Sequence, residues 1–117
     1  MAIVGGCGGM GRALVEAAVE AGLKVAVLDL QRSIAQSPPA AELTLACDVA
    51  EEESVRSAFA TIRNELGALD TLVDLAGYTG EPVLVKDMPL AEWDAITDCC
   101  LRGMFLVTRA ALPLLEK

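Results

Sequence analysis

VGGCGGMGRA, residues 4–13, decides the fold. A short apolar stretch, Ala2-Ile3-Val4, runs into it and reads as a strand or the end of one. Glycines at 5, 6, 8, 9 and 11 come next and lead into a helix from about Met10 to Ala21. Arg12, Glu16 and Glu20 mark the wet face of that helix, with Leu14, Ala17, Ala18 and Ala21 opposite, and Gly22 is placed to stop it. A strand, a glycine-rich turn and a helix make the first half of a βαβ unit. The glycines alone say little; the elements on either side of them decide their use.

Outward from this stretch the alternation continues. Lys24–Leu30 (KVAVLDL) is a nearly unbroken apolar run rich in valine, as a strand buried on both faces requires. Gln31–Glu42 reads as a short helix or loop broken by Pro38-Pro39, and Leu43–Cys47 as a third strand ending at Asp48-Val49. Glu51–Leu66 predicts a helix, with Val55, Phe59, Ile62 and Leu66 spaced 4, 3 and 4 apart and Gly67 closing it. Leu69–Ala76 is a fourth strand. A long helix is expected from about Leu90 towards Leu115, with Trp93, Ile96, Cys100, Met104, Val107 and Ala111 on its apolar side. Strands alternating with helices imply right-handed crossovers and a parallel sheet covered on both sides. The expected class is α/β, a doubly wound parallel sheet of Rossmann type, with residues 1–117 forming a single domain.

An acidic residue about 20 positions beyond the glycines, at the end of the second strand, completes a dinucleotide-binding pattern. Asp29, eighteen residues past Gly11, occupies that place. Of Gly5, Gly9 and Gly11, one makes the tight turn, one lets backbone N–H groups approach a pyrophosphate, and one lets the helix pack on the strand. Met10 belongs to the same loop, and Leu30 adjoins Asp29. The helix N-terminus adds the positive end of its dipole to the phosphates. A carboxylate at Asp29 accepts from both hydroxyls of an adenosine ribose and repels a 2′-phosphate, which favours NAD over NADP.

Composition narrows the alternatives. Hydrophobic residues make up 54% of the chain and aromatics only 3%, so the core is aliphatic and the chain is not a disordered one. The net charge is −8, with no histidine and no cluster of Lys/Arg, which argues against a nucleic-acid surface. No apolar run approaches the ~20 residues of a membrane span, and no basic leader precedes the first strand. A soluble cytoplasmic protein is the expectation. The four cysteines, at 7, 47, 99 and 100, form no C-x-x-C pair, so a zinc site is not expected. Cys7, in the glycine loop just before a helix, is where a thiolate is expected to be favoured.

The spacing G-x-x-x-G-x-G departs from the general G-x-G-x-x-G and resembles the TGxxxGxG loop of the short-chain dehydrogenases/reductases. The resemblance continues in register. Asp48-Val49 is similar to the family's Asp-Val after the third strand, where the Asp contacts the adenine amino group. LDTLVDLAG at 69–77 resembles LDxLVNNAG, placing Ala76 and Gly77 beside the cofactor, and residues 88–113 resemble the long fourth helix of the family. This resemblance, not composition, implies hydride transfer between a nicotinamide and an alcohol or ketone. It also implies a sheet order of 3-2-1-4 and a homo-oligomer or self-associating chain, since the family's fourth and fifth helices build its subunit interfaces.

Three positions depart from the family pattern. Val4 replaces the loop Thr, Asp74-Leu75 replaces Asn-Asn, and Cys100 stands where the family's catalytic Asn belongs. The family's Ser and Tyr-x-x-x-Lys have no counterpart in residues 1–117; the single tyrosine, Tyr78, is followed by Pro82 and does not fit. No catalytic residue is therefore assigned, and the chain is expected to be the cofactor-binding portion of such an enzyme, ending after the fourth strand and helix and inactive alone. The alternatives are a non-catalytic NAD-binding module and an S-adenosylmethionine-dependent methyltransferase, whose glycine loop and second strand look alike. For Asp48 the competing role is an N-cap of the helix that begins near Glu51.

Overall fold

The computed structural model describes residues 1–115. Glu116 and Lys117, which the sequence assigns to the same domain, lie outside the described residues. The elements are β1 (Ala2–Val4), α1 (Gly9–Glu20), β2 (Ala26–Asp29), α2 (Gln31–Gln36), β3 (Leu43–Ala46), α3 (Glu52–Leu66), β4 (Leu72–Asp74), α4 (Leu90–Thr97) and α5 (Met104–Leu115). A 3₁₀ turn at Val85–Asp87 precedes α4, and a π-helical turn at Asp98–Gly103 joins α4 to α5. The four strands are parallel in the order β3-β2-β1-β4, as the resemblance implied.

Alternation along β1 divides the core between two faces. Ala2 and Val4 join Ala26 and Leu28 under α3 and α5, where Val55, Phe59, Ile62, Leu106, Val107, Ala111 and Leu114 pack. Ile3 points the other way, with Val25 and Val27, onto Val15 and Ala18 of α1. Both faces of the central strands are covered, which is why their sequence is a continuous apolar run.

Two expectations about helix faces are corrected. On α1 the buried set is Gly11, Val15 and Ala18, whereas Ala17 and Ala21 are exposed. The helix lies so close to β1 that a glycine and a valine make its seam, and the alanines fall off it. The expected stripe Trp93-Ile96-Cys100-Met104-Val107-Ala111 does not form one face. Cys100 and Met104 are exposed and Trp93 is largely so, and the buried positions of the second half are Gly103, Leu106, Val107, Ala111 and Leu114. The α4 segment buries no residue at all, and the π turn that follows it breaks the 3.6-residue register the stripe assumed between the two halves.

The register of the sheet positions the site. Val4 is level with Leu28 and with Asp74, and Asp29 is level with Ala46. Every strand therefore delivers its carboxyl end, and the loop after it, to the same edge. The chain's direction of travel reverses across β1, and the crevice at such a switch point is where open α/β sheets take ligands.

Candidate functional site

Gly5 leaves β1 with φ +77°, a conformation that side chains rarely adopt, and its N–H donates to the Leu28 carbonyl at 2.8 Å. A Cβ there would stand 2.9 Å from the Ala76 nitrogen, so the loop is pressed against the start of the β4 loop. The β1–β4 ladder runs on into this loop: the Leu75 N–H donates to the Val4 carbonyl at 2.9 Å. A Cβ at Gly11 would collide with the Gly5 carbonyl oxygen, which makes Gly11 the residue of helix–strand contact. Around a Cβ at Gly9 nothing lies within 4 Å. Gly9 faces open space at the head of α1, whose N-cap residue, Gly8, has no side chain to cap the first-turn amides. One glycine bends the chain, one admits the helix, and one stands in open space at a helix start without a side-chain cap.

Asp29 ends β2 and is joined to this loop. Its Oδ2 accepts from the Cys7 N–H at 2.9 Å and its Oδ1 from the Leu30 N–H at 2.8 Å. Each carboxylate oxygen carries a second acceptor direction, so these bonds hold the group in place without exhausting it. They also correct the expectation for Cys7. Burial, and next the adjacent Asp29 charge, push its thiol above the ordinary range, so the loop does not favour a thiolate.

A cleft of about 390 Å³ opens between these groups. Gly5, Gly8, Asp29, Leu30, Asp48, Val49, Ala76 and Gly77 line it, as do Cys7, Cys47 and Cys99. Of the ten residues singled out from sequence, Gly5, Asp29, Leu30, Asp48, Val49, Ala76 and Gly77 thus share one cavity. Gly9, Met10 and Gly11 are the first residues of α1, immediately after the lining residue Gly8. Arg32, Ser33, Gln36 and Ser37 of the α2 region also line the cleft, and no motif had singled them out.

At the β3 end the Asp48 side chain accepts from the Ala50 N–H at 3.0 Å, forming a turn ahead of α3. It is not the N-cap; that position is Glu51, which makes no side-chain cap bond. Val49 is buried, and a Cβ at Gly103 would come within 2.7 Å of it, so the π turn rests directly on this wall of the cleft. Burial pushes the Cys47 thiol up to about 11.

Asp74 accepts from the Ala76 N–H at 3.0 Å, which shapes the turn into Ala76-Gly77. It is half-buried, and desolvation raises its pKa, opposed by the Ala76 hydrogen bond. Cys100, in the family's Asn position, accepts from the Tyr78 N–H at 3.4 Å and donates to the Tyr78 carbonyl at 3.3 Å. The thiol is engaged with backbone rather than left free, although both bonds are weak ones.

The same features can be set beside known proteins. A short chain dehydrogenase from Monascus purpureus is 40% identical over 94 residues, which are 80% of this chain and 32% of that protein. A 2-(S)-hydroxypropyl-CoM dehydrogenase from Xanthobacter autotrophicus is 34% identical over 119 residues, 96% of this chain and 46% of that one. Among solved structures, the ligand-free aldohexose dehydrogenase of Thermoplasma acidophilum superposes with a TM-score of 0.86 at 29% identity, covering 97% of this chain and 43% of that one. The chain thus spans between about a third and a half of the length of these relatives. The family model described as short chain dehydrogenase matches residues 1–117 throughout. The strand order, the glycine loop and these likenesses agree, and the chain belongs to the short-chain dehydrogenase family.

Proposed function

We propose that this chain is the NAD-binding portion of a short-chain dehydrogenase. The observation that carries the reading is the open space over Gly9, at the uncapped α1 amides, beside a cleft that holds the Asp29 carboxylate. Gly9, Met10 and Gly11 present backbone donors to a pyrophosphate, while Asp29 takes the adenosine ribose hydroxyls and Leu30 lies beside it. Asp48 and Val49 border the adenine, and Ala76 and Gly77 border the nicotinamide half. When bound, the nicotinamide supplies hydride exchange with an alcohol or carbonyl carbon. The residues of this chain bind and orient it and exclude water from one side. The acid/base step falls to groups that residues 1–117 do not contain, so these residues alone leave a panel of ketones unreduced.

Within the cofactor class, Asp29 favours NAD, because a 2′-phosphate would meet its charge. The presence of Arg32 in the same lining as Asp29 supports a second reading, NADP, since a guanidinium beside the ribose can receive the phosphate. Calorimetric titration of the chain and of Asp29→Ala tests the first reading. Loss of a hydrogen bond to a charged group costs about 1.5–3 kcal/mol, so the substitution is expected to weaken NAD binding roughly 10- to 100-fold. Unchanged affinity in Asp29→Ala would reject the role given to that residue.

A further inference from the structure

The loop that follows β4 is secured from an unexpected direction. Oε1 of Glu92, in the first turn of α4, accepts from the Tyr78 phenol at 3.0 Å and from the Glu81 N–H at 3.1 Å. Gly80 lies between these two donors with φ +66°, and a Cβ there would strike the Glu92 carboxylate. The loop therefore closes around that one oxygen atom, and only glycine leaves the oxygen its place. Cys100, further along the same helical span, holds the Tyr78 backbone.

We propose that Glu92 is a positioning residue for the nicotinamide half of the cofactor cleft, acting through the 78–81 loop that it clamps. This rests on the dinucleotide reading above. The sheet order supplies the geometry. A dinucleotide crosses the sheet at β1, and with its adenosine end at Asp29 on β2 its other half lies over β4. Ala76 and Gly77 form the β4 wall of the cleft, and Tyr78 is the next residue. Glu92 thus sets the path of the chain as it leaves that wall. Both hydrogen bonds it accepts come from this loop, away from the Asp29 and Asp48 end. The hydrogen bond to Glu92, then desolvation, then the charges of Glu92 and Glu81 hold the Tyr78 phenol above its ordinary pKa.

The experiment compares Glu92→Ala and Glu92→Gln with the unaltered chain, using NAD and AMP as probes and the absorbance of tyrosinate as a second readout. Tyr78 is the only tyrosine, so its titration is read without interference. Glu92→Ala loses the acceptor for both donors; NAD affinity is expected to fall about tenfold while AMP affinity stays within about twofold. Glu92→Gln keeps an acceptor oxygen and loses the charge. It is expected to retain NAD affinity within about twofold while Tyr78 titrates at lower pH. Equal weakening of NAD and AMP in Glu92→Ala would overturn the proposal in favour of general damage, and so would no change in either. Failure of Glu92→Gln to restore NAD binding would also overturn it. If the unaltered chain bound neither probe, the dinucleotide reading itself would fall and the assignment of the loop to nicotinamide with it, while the Tyr78 titration would still report whether the clamp exists.

Discussion

Gly9→Ala separates the needs of the fold from those of the ligand. A Cβ at Gly9 meets nothing within 4 Å, so the substitution costs no packing. Alanine is favoured over glycine by up to about 1 kcal/mol in a helix, less at a first position, so the free chain is expected to be as stable or slightly more so. On the proposed reading, the added methyl instead fills space that a phosphate oxygen takes on its way to the α1 amides. A hydrogen bond to a charged group is worth about 1.5–3 kcal/mol, and losing one weakens binding roughly 10- to 100-fold. Gly11→Ala is the opposite case. Its Cβ collides with the Gly5 carbonyl oxygen, so α1 must move off β1. Overpacking of this kind costs about 1–3 kcal/mol, and the helix-propensity gain offsets only part of it. Urea unfolding recorded by circular dichroism measures the stability of both variants, and calorimetric titration with NAD measures their binding. If Gly9→Ala bound NAD as tightly as the unaltered chain, or Gly11→Ala unfolded no earlier, the division of labour among the glycines would be refuted.

Asp74 gives a pH-dependent test. Its folded-state pKa is raised by desolvation, so its contribution to stability is present below the unfolded value and is lost as pH rises through the folded one. At neutral pH the charged, half-buried carboxylate is a cost. Asp74→Asn keeps an acceptor for the Ala76 N–H and is expected to raise the thermal midpoint at neutral pH but not in acid, below the ordinary carboxylate range; an equal rise at both would remove desolvation as the cause. In the core, Phe59 is 3% exposed beneath the sheet, and Phe59→Ala is expected to cost about 3–5 kcal/mol in urea unfolding. A cost below about 1 kcal/mol would contradict its place in the α3–sheet contact.

The parts of the fold that were legible in the sequence are those with a local cause. The glycine loop and the apolar strands depend on residues a few positions apart, Asp29 on a fixed spacing of eighteen from Gly11, and each lies where the pattern placed it. Element ends were less legible: β4 spans Leu72–Asp74 rather than Leu69–Ala76, because only those residues pair with β1. The faces of α1 and of the α4–α5 span depended on close approach to β1 and on a π turn, and neither leaves a periodic signature. At the site, Asp48 and Cys7 were legible as positions but not in their bonding. The Asp48 carboxylate turns to Ala50, and Cys7 is adjacent to a charge that only the fold brings near. Glu92 was invisible because its partners lie 14 and 11 residues before it, across a loop without a recognisable motif.

In the proposed function, the cleft beside the glycine loop takes NAD, with Asp29 at the ribose. Titrating the isotopically labelled chain with NAD and then NADP, and tracking its backbone amide resonances, tests this most directly. Saturable NAD binding in the micromolar-to-millimolar range is expected, with the largest shifts at Gly8, Gly9, Met10, Gly11, Leu30 and Gly77, and weaker binding of NADP. Shifts scattered away from this cleft, or tighter binding of NADP than of NAD, would contradict it.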